Sequence, residues 1–177
     1  MTHFDVVLSG GDILLPGAPP VAADLAIRDG KFAAIFARGS AASAHERIDI
    51  TGLTVFPGIV DVHLHLGHGN DISRPRVPED AAQETAAAAA GGITTFIPYL
   101  MATEPFESIF EDVRAVTEAG ARIDFGYHFI ISTEAQLAGV PAYARDFGAP
   151  SFKIFMNNRG GEGKRLGLPD IDDGFLF

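Results

Sequence analysis

From Gly58 onwards the chain alternates short apolar runs with longer segments of helical character, and this alternation restricts the folds open to it. Four runs have the length and composition of strands buried on both faces: residues 58–66, 93–99, 123–131 and 151–156. Three segments between them are typical of helices: residues 79–90, 106–119 and 134–147. Strand and helix units of about thirty residues each predict a parallel α/β sheet, either the start of a barrel or an open doubly wound sheet.

The residues before Gly58 have a different pattern, in which short strands alternate with turns. The strands are expected at residues 5–8, 12–15, 24–28, 31–36 and 53–56, and Asp29-Gly30 favours a hairpin turn because both residues tolerate positive φ. We therefore divide the chain into an all-strand region, 1–57, and an α/β region, 58–177. In the second region, Thr133 and Gln136 predict a capping box at a helix start, and Gly91 and Gly120 predict helix ends.

The length of the α/β region decides between the two kinds of sheet. An eight-unit barrel takes roughly 250 residues, so the residues after Pro57 suffice for about four strand and helix units. The alternative is an open sheet that is complete as it stands. We favour half of a barrel in a longer polypeptide, because a finished domain would not be expected to end on the apolar residues Phe175, Leu176 and Phe177.

Composition excludes several classes of partner. With 13 basic and 23 acidic residues, the net charge of −10 argues against binding to nucleic acid or to an anionic membrane, and no apolar run approaches the roughly 18 residues of a membrane span. We expect a soluble, cytoplasmic protein that acts on a small molecule. The chain has no cysteine, so a metal ion would have to be bound by His, Asp, Glu or a modified Lys.

Two histidines at the end of the first buried strand are the strongest candidates for metal ligands. On a strand, Asp61, His63 and His65 share one face, and imidazoles two residues apart can converge on one metal ion at about 2.0 to 2.1 Å. Two histidines with no ligand role would have the same spacing. Their position at the end of a buried strand favours the metal site, because α/β folds place their chemistry there.

Lys153, inside the fourth buried strand, is the second candidate. Burial of an ammonium group favours its neutral form, and a neutral amine can react with carbon dioxide to give a carbamate that bridges two metal ions. A lysine that reaches past the strand end to water fits the same sequence equally well.

Three motifs occur in an order that resembles one enzyme family. They are Phe56-Pro57-Gly58-Ile59-Val60-Asp61-Val62-His63-Leu64-His65, then Gly91-Gly92-Ile93-Thr94-Thr95, then Ser151-Phe152-Lys153-Ile154-Phe155-Met156. This pattern is similar to the amidohydrolase superfamily, in its hydantoinase, dihydropyrimidinase, allantoinase and dihydroorotase branch. The resemblance implies a (β/α)8 barrel with a small β-sandwich domain built from both chain ends.

The resemblance also implies a cofactor and a reaction. Two divalent metal ions, expected to be zinc, would be held by His63, His65 and a carbon dioxide-derived carbamate on Lys153. The remaining ligands and the aspartate that shuttles the proton would lie beyond Phe177, so this chain alone should be inactive. The implied reaction is the opening of a small cyclic amide by metal-bound hydroxide.

The residues around these motifs bear on the substrate. Dihydroorotases have an arginine at the position of Gly67, and hydantoinases have a tyrosine at the position of Asn158, which could still donate a hydrogen bond to substrate. His68 is a further candidate substrate contact. Asp61 could lie in the layer behind the ligands, but a structural role at the floor of the barrel fits its position better. Two alternatives stay open: hydrolysis of linear amides, as in N-acyl amino acid deacylases, and a non-catalytic scaffold like the dihydropyrimidinase-related proteins. We further expect a homo-oligomer, a dimer or a tetramer.

Overall fold

A computed structural model describes residues 3–177. The chain divides into two compact units, one that ends at Pro57 and one that comprises Gly58–Phe177.

The first unit contains one mixed sheet of six strands in the order β5-β1-β3-β2-β6, with β4 paired to β3. The strands are β1 (Phe4–Ser9), β2 (Asp12–Ile13), β3 (Val21–Arg28), β4 (Lys31–Ala37), β5 (Ala44–Asp49) and β6 (Thr54–Val55). The hairpin predicted at Asp29-Gly30 is confirmed, since it joins β3 to β4 with φ values of 53° and 69°. Strand β5 was not predicted. The β-sandwich stays a prediction, because the described residues of this unit supply one sheet.

The second unit contains a parallel sheet in the order β11-β10-β8-β7, with β9 paired to β8. Its strands are β7 (Ile59–Leu64), β8 (Ile93–Leu100), β9 (Asp124–Phe125), β10 (His128–Ile130) and β11 (Phe152–Lys153). The α-helices are α1 (Pro78–Ala90), α2 (Phe110–Gly120), α3 (Glu134–Asp146) and α4 (Asp173–Leu176), with short 3-10 helices at Phe106–Ser108 and Glu162–Leu166. The predicted α/β class is confirmed, and this curled parallel sheet is consistent with part of a barrel.

The start of α3 differs in one detail from the predicted capping box. The Thr133 side chain accepts a hydrogen bond from the backbone N–H of Gln136, as expected. The Gln136 amide, however, accepts from the backbone N–H of Ser132 at 2.9 Å and donates to the carbonyl groups of Ala102 and Glu104 at 2.9 and 2.8 Å. This buried amide therefore ties the segment after β8 to the segment after β10, where the candidate site lies.

A layer of aromatic side chains packs beneath the helices. Phe106, Phe129 and Tyr143 are fully buried, and their ring centroids lie 4.5 to 5.4 Å apart. Burial and a hydrogen bond to Glu107 raise the pKa of Tyr143 to about 12. This layer stabilises the sheet from one face and leaves the other face to the candidate site. Among the described residues, no helix has the length and apolar character needed to span a membrane.

Gly120 ends α2 against the first turn of α1. A Cβ atom at this position would overlap the carbonyl oxygen of Pro78, a backbone atom that cannot move without shifting α1. Although alanine is the better helix former, we expect Gly120→Ala to lower the free energy of unfolding by about 3 kcal/mol, as measured by urea denaturation.

Gly91, which closes α1, provides the matched control. Its φ is −85°, and a Cβ atom there would meet nothing closer than the Ala88 carbonyl oxygen at 3.4 Å. Gly91→Ala is expected to change the free energy of unfolding by less than about 1 kcal/mol. Equal losses at both glycines would contradict the close approach of α1 and α2 as the cause.

Candidate metal centre

Strand β7 carries the two predicted histidines on an irregular backbone. Its register with β8 shifts between Asp61 and Leu64, and the Asp61 carboxylate accepts a hydrogen bond from the backbone N–H of His63 at 3.1 Å. Asp61 thus supports the local backbone at the point where the strand turns irregular. The position expected of it behind the ligands stays a prediction, since the contact is to the backbone and not to an imidazole.

Tyr99, near the end of β8, brings the site together. The centroid of its ring lies 5.1 Å from the ring of His63, 5.7 Å from that of His65 and 5.0 Å from that of His128. The Nζ atom of Lys153 lies 4.1 Å from the same centroid. Side chains from β7, β8, β10 and β11 therefore meet at one place. Those of His63, Tyr99 and Lys153 lie at or near the carboxyl ends of their strands, where α/β barrels place their chemistry, whereas His128 is the first residue of β10.

His65 has the properties of an available ligand. Its Nδ1 atom is buried and has no hydrogen-bond partner among the described residues. Burial lowers the pKa of His65, the nearby Lys153 and His63 lower it further, and a backbone hydrogen bond at Ile72 acts in the opposite direction. The neutral imidazole favoured in this way is the form that binds metal ions.

Lys153 lies between two aromatic rings. Its Nζ atom is 4.1 Å from the centroid of Tyr99 and 4.5 Å from that of Phe155. Burial lowers the pKa of its ammonium group, which is the direction needed for a nucleophilic amine.

His128 forms a wall of the site. Its ring is buried, and Nδ1 lies 2.5 Å from the Ser151 hydroxyl. Burial lowers the pKa of His128, a backbone hydrogen bond at Val62 raises it, and the proximity of His63 lowers it. The ring thus contacts the Ser151 hydroxyl just before β11 and the Tyr99 ring of β8.

The donor set in this chain is partial. Among residues 3–177, no group of three or more His, Cys, Asp or Glu side chains is arranged to hold a metal ion. What the described chain supplies is two imidazoles and one amine, of which His65 has a buried, unpartnered nitrogen. These groups fit a metal ion that receives further ligands from elsewhere.

His68, one of the two predicted substrate contacts, lies outside this cluster. It is bonded through Nδ1 to Asp80 at 2.9 Å, and Asp80 also accepts the backbone N–H groups of Arg76 and Val77. Through this bond His68 contacts the first turn of α1. A role in binding substrate stays a prediction for this residue.

Asn158, the other predicted substrate contact, is buried beside Gly163, and its Nδ2 atom has no partner among the described residues. Its backbone carbonyl accepts the N–H of Ile171 at 2.6 Å. The amide is thus packed within the segment after β11. Its contact with substrate likewise stays a prediction.

Gly67 has a structural reason to be glycine. A Cβ atom here would overlap the backbone oxygen of Asp71, because the chain reverses between His68 and Asp71 with hydrogen bonds in both directions. The arginine that dihydroorotases carry at this position therefore has no room in this loop.

A parallel α/β sheet with polar groups gathered near the carboxyl ends of its strands is the class of scaffold on which α/β enzymes place their active sites, in barrels and in open sheets alike. Comparison with known proteins narrows this class. Residues 54–159 match the model of the amidohydrolase family. The chain therefore belongs to the amidohydrolase family.

Sequence and structure comparisons with individual proteins also identify hydantoinases and an allantoinase as similar to this chain. The chain is 39% identical to a D-hydantoinase of Geobacillus stearothermophilus, over 76% of this chain and 29% of that protein. It is 32% identical to an allantoinase of Solibacter usitatus, over 93% of this chain and 38% of that protein. The solved structure of an L-hydantoinase (dihydropyrimidinase) from Arthrobacter aurescens superposes with a TM-score of 0.76 at 28% identity, covering 98% of this chain and 37% of that one. The chain thus spans about a third of the length of these relatives.

Proposed function

We propose that the protein containing this chain is a metal-dependent hydrolase that opens a small cyclic amide at a carbon–nitrogen bond. The observation that carries this proposal is the convergence of His63, His65 and Lys153 on the Tyr99 ring. Membership in the amidohydrolase family and the hydantoinase and allantoinase names of relatives support the reaction and its substrate class.

The roles of the residues follow from their positions. His63 and His65 would bind metal ions through neutral imidazoles, and Lys153, as a carbamate formed with carbon dioxide, would supply an anionic ligand. Divalent ions held there, expected to be zinc, would lower the pKa of a water molecule and polarise the amide carbonyl. His128 and Tyr99 would limit the space around the ligands and exclude water from one side.

The proposal extends to the whole polypeptide. Residues 58–177 would form the first half of a (β/α)8 barrel, and residues 1–57 would form part of a composite β-sandwich domain. In the first unit, Phe32 is 76% exposed, Phe56 is 57% exposed and Leu53 is 61% exposed, which supports a second layer over this sheet. The remaining metal ligands and the proton-shuttling aspartate would come from later strands, so the chain alone should not catalyse.

Hydrolysis of linear amides is the second candidate, and Asn158 is the observation that favours it. A tyrosine at this position is the hydantoinase feature that contacts the reacting carbonyl, whereas the Asn158 side chain is shorter and buried. The absence of this hydantoinase tyrosine leaves linear amides open as substrates.

Metal analysis together with a substrate panel tests the proposal. We expect the protein, purified as its gene encodes it, to contain stoichiometric divalent metal and to hydrolyse hydantoin, dihydrouracil or allantoin. Turnover of N-acyl amino acids alone would favour the linear-amide alternative. Protein that contains no metal and hydrolyses neither class would contradict enzymatic function and favour the scaffold.

A further inference from the structure

Tyr99 is the common neighbour of every candidate ligand in the described chain. It touches His63 edge-on, with an interplanar angle of 74°, and lies tilted at 35° to His65. Its centroid also lies 4.1 Å from Lys153 Nζ, so the aromatic face contacts the end of the lysine side chain. His63 comes from β7, His65 from the segment just after it, and Lys153 from β11. The Tyr99 ring therefore connects side chains from the two edge strands of the sheet.

The Tyr99 ring is itself held in place. Its Cα atom pairs with that of His128 in the register of β8 and β10, and the two rings are 5.0 Å apart. His128 is fixed in turn by its hydrogen bond to Ser151. On another side Tyr99 packs against the buried cluster of Met101, Ile130 and Leu168. A ring with these contacts has little freedom to change its rotamer.

We propose that Tyr99 is a positioning residue for the metal site. Its ring holds the side chains of His63, His65 and Lys153 toward a common centre. This inference rests on the proposed function, since it assumes that these three residues bind metal. The imidazoles rotate about two side-chain bonds and the lysine about four, so each needs a neighbouring surface to be confined to one orientation. The aromatic face and edge provide that surface, and the hydroxyl group is not required for it.

Comparison of two Tyr99 variants tests this inference through metal affinity. In the protein as encoded, Tyr99→Leu is expected to weaken the binding of Zn²⁺ by about 10- to 100-fold, a loss typical of residues that orient metal ligands. Tyr99→Phe keeps the ring and is expected to stay within about threefold of the parent. Competition with a chromophoric chelator measures both affinities, and the visible absorption spectrum of the Co²⁺-loaded proteins reports the ligand geometry independently of activity.

Phe106→Leu is the matched control for the loss of an aromatic side chain. Phe106 is fully buried in the second unit and packs against Phe129 and Tyr143, away from the site. This variant is expected to lower stability and leave Zn²⁺ affinity and the Co²⁺ spectrum unchanged. If Tyr99→Leu does not fold, Tyr99→Met takes its place, because methionine retains bulk without a ring.

The outcomes separate this inference from the proposed function. Parent-like Zn²⁺ affinity and Co²⁺ spectrum in Tyr99→Leu or Tyr99→Met would overturn the positioning role while leaving the metal site intact. Equal losses in Tyr99→Phe and Tyr99→Leu would overturn it too, by assigning the effect to the hydroxyl group. Absence of metal binding in the parent protein would instead overturn the proposed function.

Discussion

In the protein as its gene encodes it, replacement of Lys153 by arginine is expected to remove both bound metal and activity, with kcat/KM falling at least about 10³-fold. Arginine keeps the positive charge and can stack on Tyr99 and Phe155 as the lysine does, but its guanidinium group stays protonated and cannot form a carbamate. A bound metal ion stabilises the transition state by several kcal/mol, and losing this stabilisation corresponds to a rate loss of about 10³-fold. Metal content, steady-state kinetics and native mass spectrometry measure the effect.

Lys164→Arg is the control for the chemical change itself. Lys164 is exposed in the 3-10 helix Glu162–Leu166, and its replacement is expected to leave metal content and kinetics unchanged. The native mass of the parent should include one carbon dioxide, which Lys153→Arg lacks and Lys164→Arg retains. Full activity in Lys153→Arg would mean that the lysine is structural, as the alternative interpretation of its sequence allows.

The parallel sheet could be predicted because its strands are locally distinctive. Apolar runs such as residues 93–99, alternating with helical segments, are typical of a sheet covered by helices, although within this run only Phe96 and Pro98 are buried. Strand β5, Ala44–Asp49, could not be predicted in this way: its residues are largely exposed, and it forms because its backbone pairs with β1 along five register positions. Such pairing depends on a distant segment and leaves no periodicity in the strand itself.

Strand lengths were predicted less accurately, because they too depend on pairing with a distant segment. The run at residues 123–131 forms two short strands, β9 and β10, interrupted at Gly126 and Tyr127, and the run at residues 151–156 forms only Phe152–Lys153. Apolar character predicts burial, which β10 shows, whereas Ile59, Val60 and Val62 of β7 are about half exposed. Which of its residues form ladder hydrogen bonds depends on the neighbouring strand.

In the candidate site, too, some residues could be predicted from the sequence nearby and others only from contacts between distant segments. His63 and His65 could be singled out because their spacing and residue type have chemical meaning, and Lys153 because a charged group in a buried strand is costly. Tyr99 was missed, since an aromatic residue in an apolar run fits a core position equally well. The available signal was its place near the end of its strand, which matches the place of the histidines in theirs.

His65→Asn is the second change with a large expected effect. His65 carries the buried, unpartnered Nδ1 atom, and asparagine cannot supply an imidazole nitrogen at the same reach. We expect metal content to fall to background and kcat/KM to fall by about 10³-fold, as measured by metal analysis and steady-state kinetics.

His68→Asn distinguishes a ligand from a neighbouring histidine of the same loop. The Nδ1 atom of His68 is bonded to Asp80 at 2.9 Å, so its removal should loosen the start of α1 and leave metal content at the parent value. Loss of metal in both variants would mean that the loop after β7, and not the His65 nitrogen, governs binding. Loss in His65→Asn alone would assign the metal to His65, because the two substitutions are chemically identical and lie three residues apart. Retention of metal in His65→Asn would contradict its role as a ligand.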